Sequence, residues 1–411
     1  MTQLDLAFTR AQFPAFSEPS FVGQAFFDNA GGSYPCRAVV DRLTRFYLTR
    51  KVQPQAPYGV SELAGAEMDE ARGRLAALMG VAGDEVSFGP STSANTFVLA
   101  QAFRGWLKPG DAIVVTNQDH EANSGVWRRL AADGIRVLEW QIDPDTGHLP
   151  LDALPALLDQ GVKLVCFPHC SNVVAEINPV ADIVAMAHAA GAVTCVDGVS
   201  YAPHGLPDVA ELGADIYLFS AYKTYGPHQG IMVIRRALGM ALPNQGHYFN
   251  ANALYKRFTP AGPDHAQIAA CAGIADYIDG LYSHHVAGDA APVARGRAVH
   301  DLMRSAEVAA AQPLLDYLAG RNDLRLIGPR RAGDRAPTVA VVLDRAAKPV
   351  ARALTAHGIN CDGGDFYAVR PLTAMGVDLE LGVLRMSFVH YTSPDEVARL
   401  IAALDQVLQA A

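Results

Sequence analysis

The chain has 411 residues, half of them hydrophobic, which is more than one core usually supports and enough to fill two. Its 33 basic and 42 acidic residues leave a formal charge of -9, and the basic ones are scattered, so the chain lacks a nucleic-acid footprint and a small anionic ligand needs a local positive site. Residues 1–7 carry an early acid and no signal-like apolar core, and no run of about 18 uncharged apolar residues occurs, so the chain reads as cytoplasmic, without a membrane partner.

In chain order, residues 62–79 have the spacing of an amphipathic helix. Short apolar runs follow at 112–117, 135–140, 163–167, 192–196, 216–219 and 231–234, alternating with helical periodicity such as 181–190. This is the βα rhythm of a mostly parallel sheet whose strands are covered on both faces. The run at 135–140 is broken by Arg136 and Glu139 and is expected at an edge. Residues 243–263 are rich in Pro, Gly and Asn, and helical segments at 266–281 and 291–318 lead away from the sheet. Strands at 338–343 and 383–389 and a helix at 394–409, capped by Ser393, complete a second unit. The expected fold class is α/β, with a large domain over residues 21–280 and a smaller α+β domain from residues 1–20 and 281–411. The six cysteines show no paired CxxC spacing and several sit in apolar runs, so neither a disulfide framework nor a metal site is expected.

Chemistry concentrates around Lys223, one lysine among hydroxyls, aromatics and a glycine just after the apolar run 216–219. An amine is nucleophilic only when neutral, so a lysine that condenses with an aldehyde sits where burial or positive charge lowers its pKa. Upstream, the run 192–196 ends in Asp197-Gly198, which places a carboxylate at the carboxyl end of a strand, where open α/β sheets bind ligands. A lysine for an aldehyde and an acid for a pyridinium nitrogen are the two needs of pyridoxal 5'-phosphate (PLP). Ser91 and Thr92 come between a strand end and a helical run, where they can hold a phosphate or act as an ordinary N-cap. Asp197-Gly198 also suits a turn, Asn172 a turn after a strand, His120 a structural role and Arg385 an edge-strand surface.

Six motifs then occur in order: Phe27-Asp28-Asn29-Ala30-Gly31-Gly32, Ser91-Thr92-Ser93-Ala94-Asn95, Asp119-His120-Glu121-Ala122-Asn123, His169-Cys170-Ser171-Asn172-Val173, the segment Asp197 to His204, and the Lys223 segment. Together they resemble the class V aminotransferase superfamily of fold-type I PLP enzymes, above all its cysteine desulfurase-like branch, from about Phe27 to Tyr391. The resemblance implies a seven-stranded-type, mostly parallel sheet sandwiched by helices. It implies Lys223 as the Schiff-base lysine, Asp197 on the pyridinium nitrogen, His120 flat on the ring and Asn172 on the ring hydroxyl. Ser91, Thr92 and Ser220 would surround the phosphate, with Ser200 where desulfurases usually carry a glutamine and Tyr222 where they carry a histidine. Arg385 would grip the carboxylate of a small amino-acid substrate, with Asn29 at the substrate site and Arg370 facing a second anionic group. A homodimer with shared sites is implied, Gly262 standing where a family threonine reaches the partner's phosphate.

One departure bears on the reaction. Desulfurases carry a loop cysteine that keeps the substrate sulfur as a persulfide; the matching position here is Ala368, and Cys361 lies a few residues earlier. Without that thiolate a persulfide relay lacks its nucleophile. The sequence therefore leads to a PLP-dependent C–S lyase, with aminotransferase or epimerase activity as the enzyme alternative and a PLP-binding sensor or interaction protein as the non-enzyme one. A sulfur-accepting partner protein is not identified by the sequence.

Overall fold

A computed structural model describes residues 3–409. Its centre is a seven-stranded sheet of β1 (Val86–Gly89), β2 (Ala112–Thr116), β3 (Arg136–Trp140), β4 (Val162–Pro168), β5 (Val193–Asp197), β6 (Ile216–Ser220) and β7 (Gly230–Ile234). The spatial order is β1-β7-β6-β5-β4-β2-β3, and β7 alone runs antiparallel to its neighbours. Successive side chains of a strand point to opposite faces, and both faces are covered: Ala112 and Val114 join one apolar cluster, Ile113 and Val115 another with Phe103 and Trp127. Double burial is why these strands read as continuous apolar runs. β3, whose Arg136 is exposed, is the edge, as the charges in its sequence indicate.

A second sheet is antiparallel, in the order β10-β11-β9-β8, from β8 (Leu324–Ile327), β9 (Thr338–Leu343), β10 (Asp362–Gly364) and β11 (Val383–Ser387). The helices Pro292–Ala319, Ala347–Thr355 and Pro394–Gln409 pack their apolar faces on it in a separate core cluster. Ser393 opens the last helix reciprocally: its hydroxyl accepts from the Glu396 amide at 3.1 Å, and its own amide donates to the Glu396 carboxylate at 2.8 Å.

The amino-terminal segment touches both regions. Arg10 makes a two-pronged ion pair with Glu396 at 2.8 and 3.2 Å, while Asp5 meets His284 and His285 at the end of the helix Ala272–His285. Ala25–Phe26 then pairs with Ile359–Asn360, and Asp28 bridges to Ser387 on β11, which ties the first motif to the second sheet. The helical stretch expected at 266–281 is two helices, His265–Ala270 and Ala272–His285, joined at Cys271. Among the described residues, no helix is long and apolar enough to cross a membrane.

Candidate active site

The parallel strands end on one side of the large sheet, and each end delivers a polar residue to the same place. β2 is followed by Asp119 and His120, β4 by Cys170 and Asn172, β5 closes on Asp197, and β6 runs through Ser220 into the short turn Ala221–Lys223. In register, Pro168 lies beside Asp197 and Asp197 beside Leu218, which brings the loops after β4, β5 and β6 together. These residues, with Ser91, Thr92, Ser200, Tyr222 and His228, line a cavity of about 340 Å³.

At one end of the cavity Ser91 opens the helix Thr92–Trp106, its hydroxyl accepting from the Ala94 amide at 3.1 Å. The Thr92 and Ser220 hydroxyl oxygens are 2.8 Å apart. The turn lies so close to β7 that a Cβ on Gly230 would collide with the Ser91 backbone. Only glycine permits that approach, which sets amide groups and two hydroxyls at a helix amino terminus, the usual place for a phosphate.

At the other end, Lys223 is half-buried and its amine is pushed down to about 8, first by loss of water and then by the nearby Arg385 charge, against the pull of Asp197 and Asp28. Burial pushes Asp197 up to about 6, opposed by the Val199 amide, which donates to it at 2.8 Å, and by Lys223. Burial, helped by the charges of Lys223 and Arg385, pushes the His120 imidazole down to about 4. Its Nδ1 accepts from the Ala122 amide at 3.1 Å, so the neutral ring carries its hydrogen on Nε2.

Asp119 and Cys170 are among the lining residues that had no role from the sequence. Asp119 is fully buried, gives one oxygen to the Asn123 amide at 2.7 Å and leaves the other without a partner; burial and the neighbouring Asp197 raise its carboxyl well above the ordinary range. The acid that precedes His120 was the available signal. Cys170 is buried, and its thiol is pushed up to about 12.

The remaining expected residues lie elsewhere. Arg385, on β11, is not on the cavity wall: its guanidinium is buried behind Asn172 and Asp28, with Nη2 donating to Asp28 at 3.1 Å, Nη1 to the Asn172 carbonyl at 3.4 Å and Nε unpartnered. Asn29 borders a small neighbouring void with Lys223 and Ser200, but its amide donates to the Ser387 carbonyl at 3.1 Å and its oxygen takes the Tyr391 hydroxyl, so its side chain ties the first motif to β11. Arg370 does not face the cavity; it pairs with Glu121 at 3.2 Å. Gly262 belongs to a turn lining two adjacent cavities, apart from Lys223 within the chain. Cys361 is also outside, and burial with the charges of Asp28 and Asp362 raises its thiol to about 12.

PLP fits what is present. Hydroxyls and a helix start suit its phosphate, a buried carboxylate its ring nitrogen, a neutral imidazole its face and an amine of lowered pKa its aldehyde. The buried, unpartnered Oδ1 of Asn172 leaves a polar atom for the ring substituents. Among the described residues, no cluster of His, Cys, Asp and Glu could hold a metal ion.

Comparison with known proteins agrees with this geometry. The family model "Aminotransferase class-V" matches residues 25–280. The chain is 32% identical over 413 residues to the aminotransferase-like protein FGM3 of Gibberella zeae, covering 97% of each chain. It is 30% identical over 419 residues to a cysteine desulfurase of Serratia proteamaculans, again covering 97% of each. Among solved structures, a cysteine desulfurase from Thermococcus onnurineus superposes with a TM-score of 0.87 at 23% identity, covering 100% of both chains. The cysteine desulfurase CsdA of Escherichia coli gives 0.81 at 24% identity and covers 99% of each chain, so the fold is shared throughout. With the family model spanning well over half of the chain and relatives matching it almost end to end, the chain belongs to the class V aminotransferase family, in its cysteine desulfurase-like branch, and is a PLP-dependent enzyme.

Proposed function

We propose that the protein is a C–S lyase that removes a sulfur-bearing group from the β-carbon of an amino acid without a persulfide-carrying loop cysteine. Bound PLP supplies an electron sink for the charge left at Cα. Lys223 takes the α-proton in this reading: a value near 8 for its half-buried amine leaves about a tenth of it as free base at pH 7. Asp197 holds a negative charge at the far end of the cavity, and His120, neutral, covers a face without competing for protons. Arg385 takes the substrate carboxylate at the guanidinium, whose Nε its own partners leave free. Overall, a thioether amino acid and water give a thiol, pyruvate and ammonium, so no redox partner is required.

The observation that carries this choice is the absence of a usable thiolate. Cys170 and Cys361 both have thiols pushed up to about 12, and Ala368 is fully buried. Sulfur expelled in such a site leaves as a free thiol or sulfide. Purified holoenzyme incubated with cysteine, cystine and S-substituted cysteines should release pyruvate with thiol or sulfide. Formation of none of these from any of them, with keto-acid-dependent amino transfer instead, would favour an aminotransferase.

We include a homodimer in this proposal. The segment around His247 and Asn250 shares a cavity with Gly262, and between them Tyr248 and Phe249 are 87% and 69% exposed. Aromatic side chains so bare are what an interface covers. Light scattering that gives the mass of a single chain would remove the dimer.

A further inference from the structure

The turn at 365–368, between β10 and the helix Val369–Ala374, holds a conformation its sequence does not favour. Phe366 and Tyr367 have φ of +54° and +56°, consecutive left-handed positions without a glycine. Bulky residues rarely adopt that region, and where they do, surrounding contacts impose it, often at ligand clamps. The contacts are visible here. The Asn172 side chain donates to the Phe366 carbonyl at 2.9 Å, and the Glu121 amide donates to the Tyr367 carbonyl at 3.2 Å. Within the turn, Asp365 accepts from the Tyr367 amide at 2.8 Å. The turn therefore reaches from the second sheet and latches onto two loops at the ends of the first.

What lies beneath it is Arg385. The guanidinium carbon stands 3.8 Å from the centre of the Phe366 ring, so one flat face is covered while Nε remains without a partner. A carboxylate binds a guanidinium along its edge, and an aromatic ring on the face fixes the plane in which that edge points. With a carboxylate held by Arg385, a side chain on the α-carbon would pass the ring of Phe366 and then Tyr367, which is 73% exposed and 5.6 Å from the neutral ring of His120. Two ion pairs stand beside the turn, Arg370 with Glu121 and Arg385 with Asp28, and the Asp365 carboxylate accepts the Tyr367 amide. A charged side chain would lose its hydration against these aromatic rings, which is costly, whereas an apolar one gains by burial.

On the footing that Arg385 takes the substrate carboxylate, we propose that the 365–368 turn is a strained lid whose Phe366 ring positions Arg385 and selects amino acids with an uncharged, apolar side chain. For the lyase this means S-alkyl or S-aryl cysteines in preference to amino acids with acidic or basic side chains. The lid must lift to admit substrate, since Arg385 is only 3% exposed beneath it, and the latches from Asn172 and Glu121 draw it back.

The test titrates the holoenzyme with S-benzylcysteine, aspartate and lysine and reads binding from the absorbance of the bound cofactor, so that turnover is not needed. S-benzylcysteine should bind at least about tenfold more tightly than either charged amino acid. Phe366→Ala should bring the three to within about threefold of one another, and Phe366→Tyr, which keeps the ring, should restore the ranking. Aspartate or lysine binding as tightly as S-benzylcysteine, or a ranking unchanged in a folded Phe366→Ala protein, would overturn the lid's role while leaving Arg385 in place. Arg385→Ala should weaken all three together; if it binds them like the parent protein, the carboxylate assignment falls and the lid proposal with it.

Discussion

The hydroxyl oxygens of Thr92 and Ser220 stand 2.8 Å apart and buried, joining the first turn of the helix Thr92–Trp106 to the end of β6, three residues before Lys223. One contact thus links the expected phosphate end of the cavity to its reactive amine. One of the two hydroxyl hydrogens spans this contact and the other is free to donate to a phosphate, and bonds to charged groups are worth about 1.5–3 kcal/mol. Ser220→Ala should therefore weaken PLP binding by about ten- to a hundredfold. Pyridoxal, which lacks the phosphate, should bind both proteins alike. Reconstitution of apoenzyme followed by fluorescence measures both, and equal losses for the two ligands would place the phosphate elsewhere.

Lys223 makes a prediction about pH. Its amine, lowered to about 8, gains free base as pH rises, so the rate at which apoenzyme takes up PLP should climb about tenfold per pH unit below that value and then level off. Positive charge from Arg385 contributes to the lowering. Arg385→Ala removes it, and the inflection should move upward. An inflection that stays fixed or moves down would mean that the arginine does not act on the amine.

Arg385 itself should show in KM. Truncating one partner of a buried, hydrogen-bonded charge pair costs about 2–5 kcal/mol, so Arg385→Ala should raise KM for the amino acid by about thirtyfold or more. Arg385→Lys should recover only part, because an ammonium lacks the two-pronged edge. Steady-state kinetics settle this, and a KM unchanged by truncation would detach Arg385 from the substrate.

The turn at 365–368 bears on sulfur chemistry as well. Ala368, where the sequence leads one to expect the family's loop cysteine, is fully buried, whereas the neighbouring Tyr367 is exposed. A thiol introduced at Ala368 should stay protonated and slow to alkylate, while Tyr367→Cys should alkylate readily and, by attacking the sulfur of bound cysteine as its C–S bond breaks and alanine leaves, give a persulfide detectable by mass spectrometry. Rapid alkylation of the Ala368→Cys thiol would show that the turn opens more widely than its latches imply.

Much of this organisation is legible in the sequence, for local reasons. Strands buried on both faces write themselves as apolar runs, and polar residues shortly beyond several of these runs reach the cavity, which is why Asp197 and Lys223 stand out. Three strands leave weaker traces: β1 and β8 have four residues each, and β10 is Asp-Gly-Gly, with little side chain to carry a pattern. Contacts between distant segments are not legible at all. Nothing in its neighbourhood assigns Arg370 to Glu121, 249 residues away, or turns the Asn29 amide towards β11. The covering of Arg385 by Phe366 depends on two left-handed backbone positions that no glycine announces.

Everything proposed for the site depends on which amine carries the cofactor. Borohydride reduction of the holoenzyme, followed by proteolysis and peptide mass mapping, should place a single pyridoxyl adduct on the peptide that contains Lys223. An adduct on a different lysine, or none in protein that retains its colour, would contradict the account.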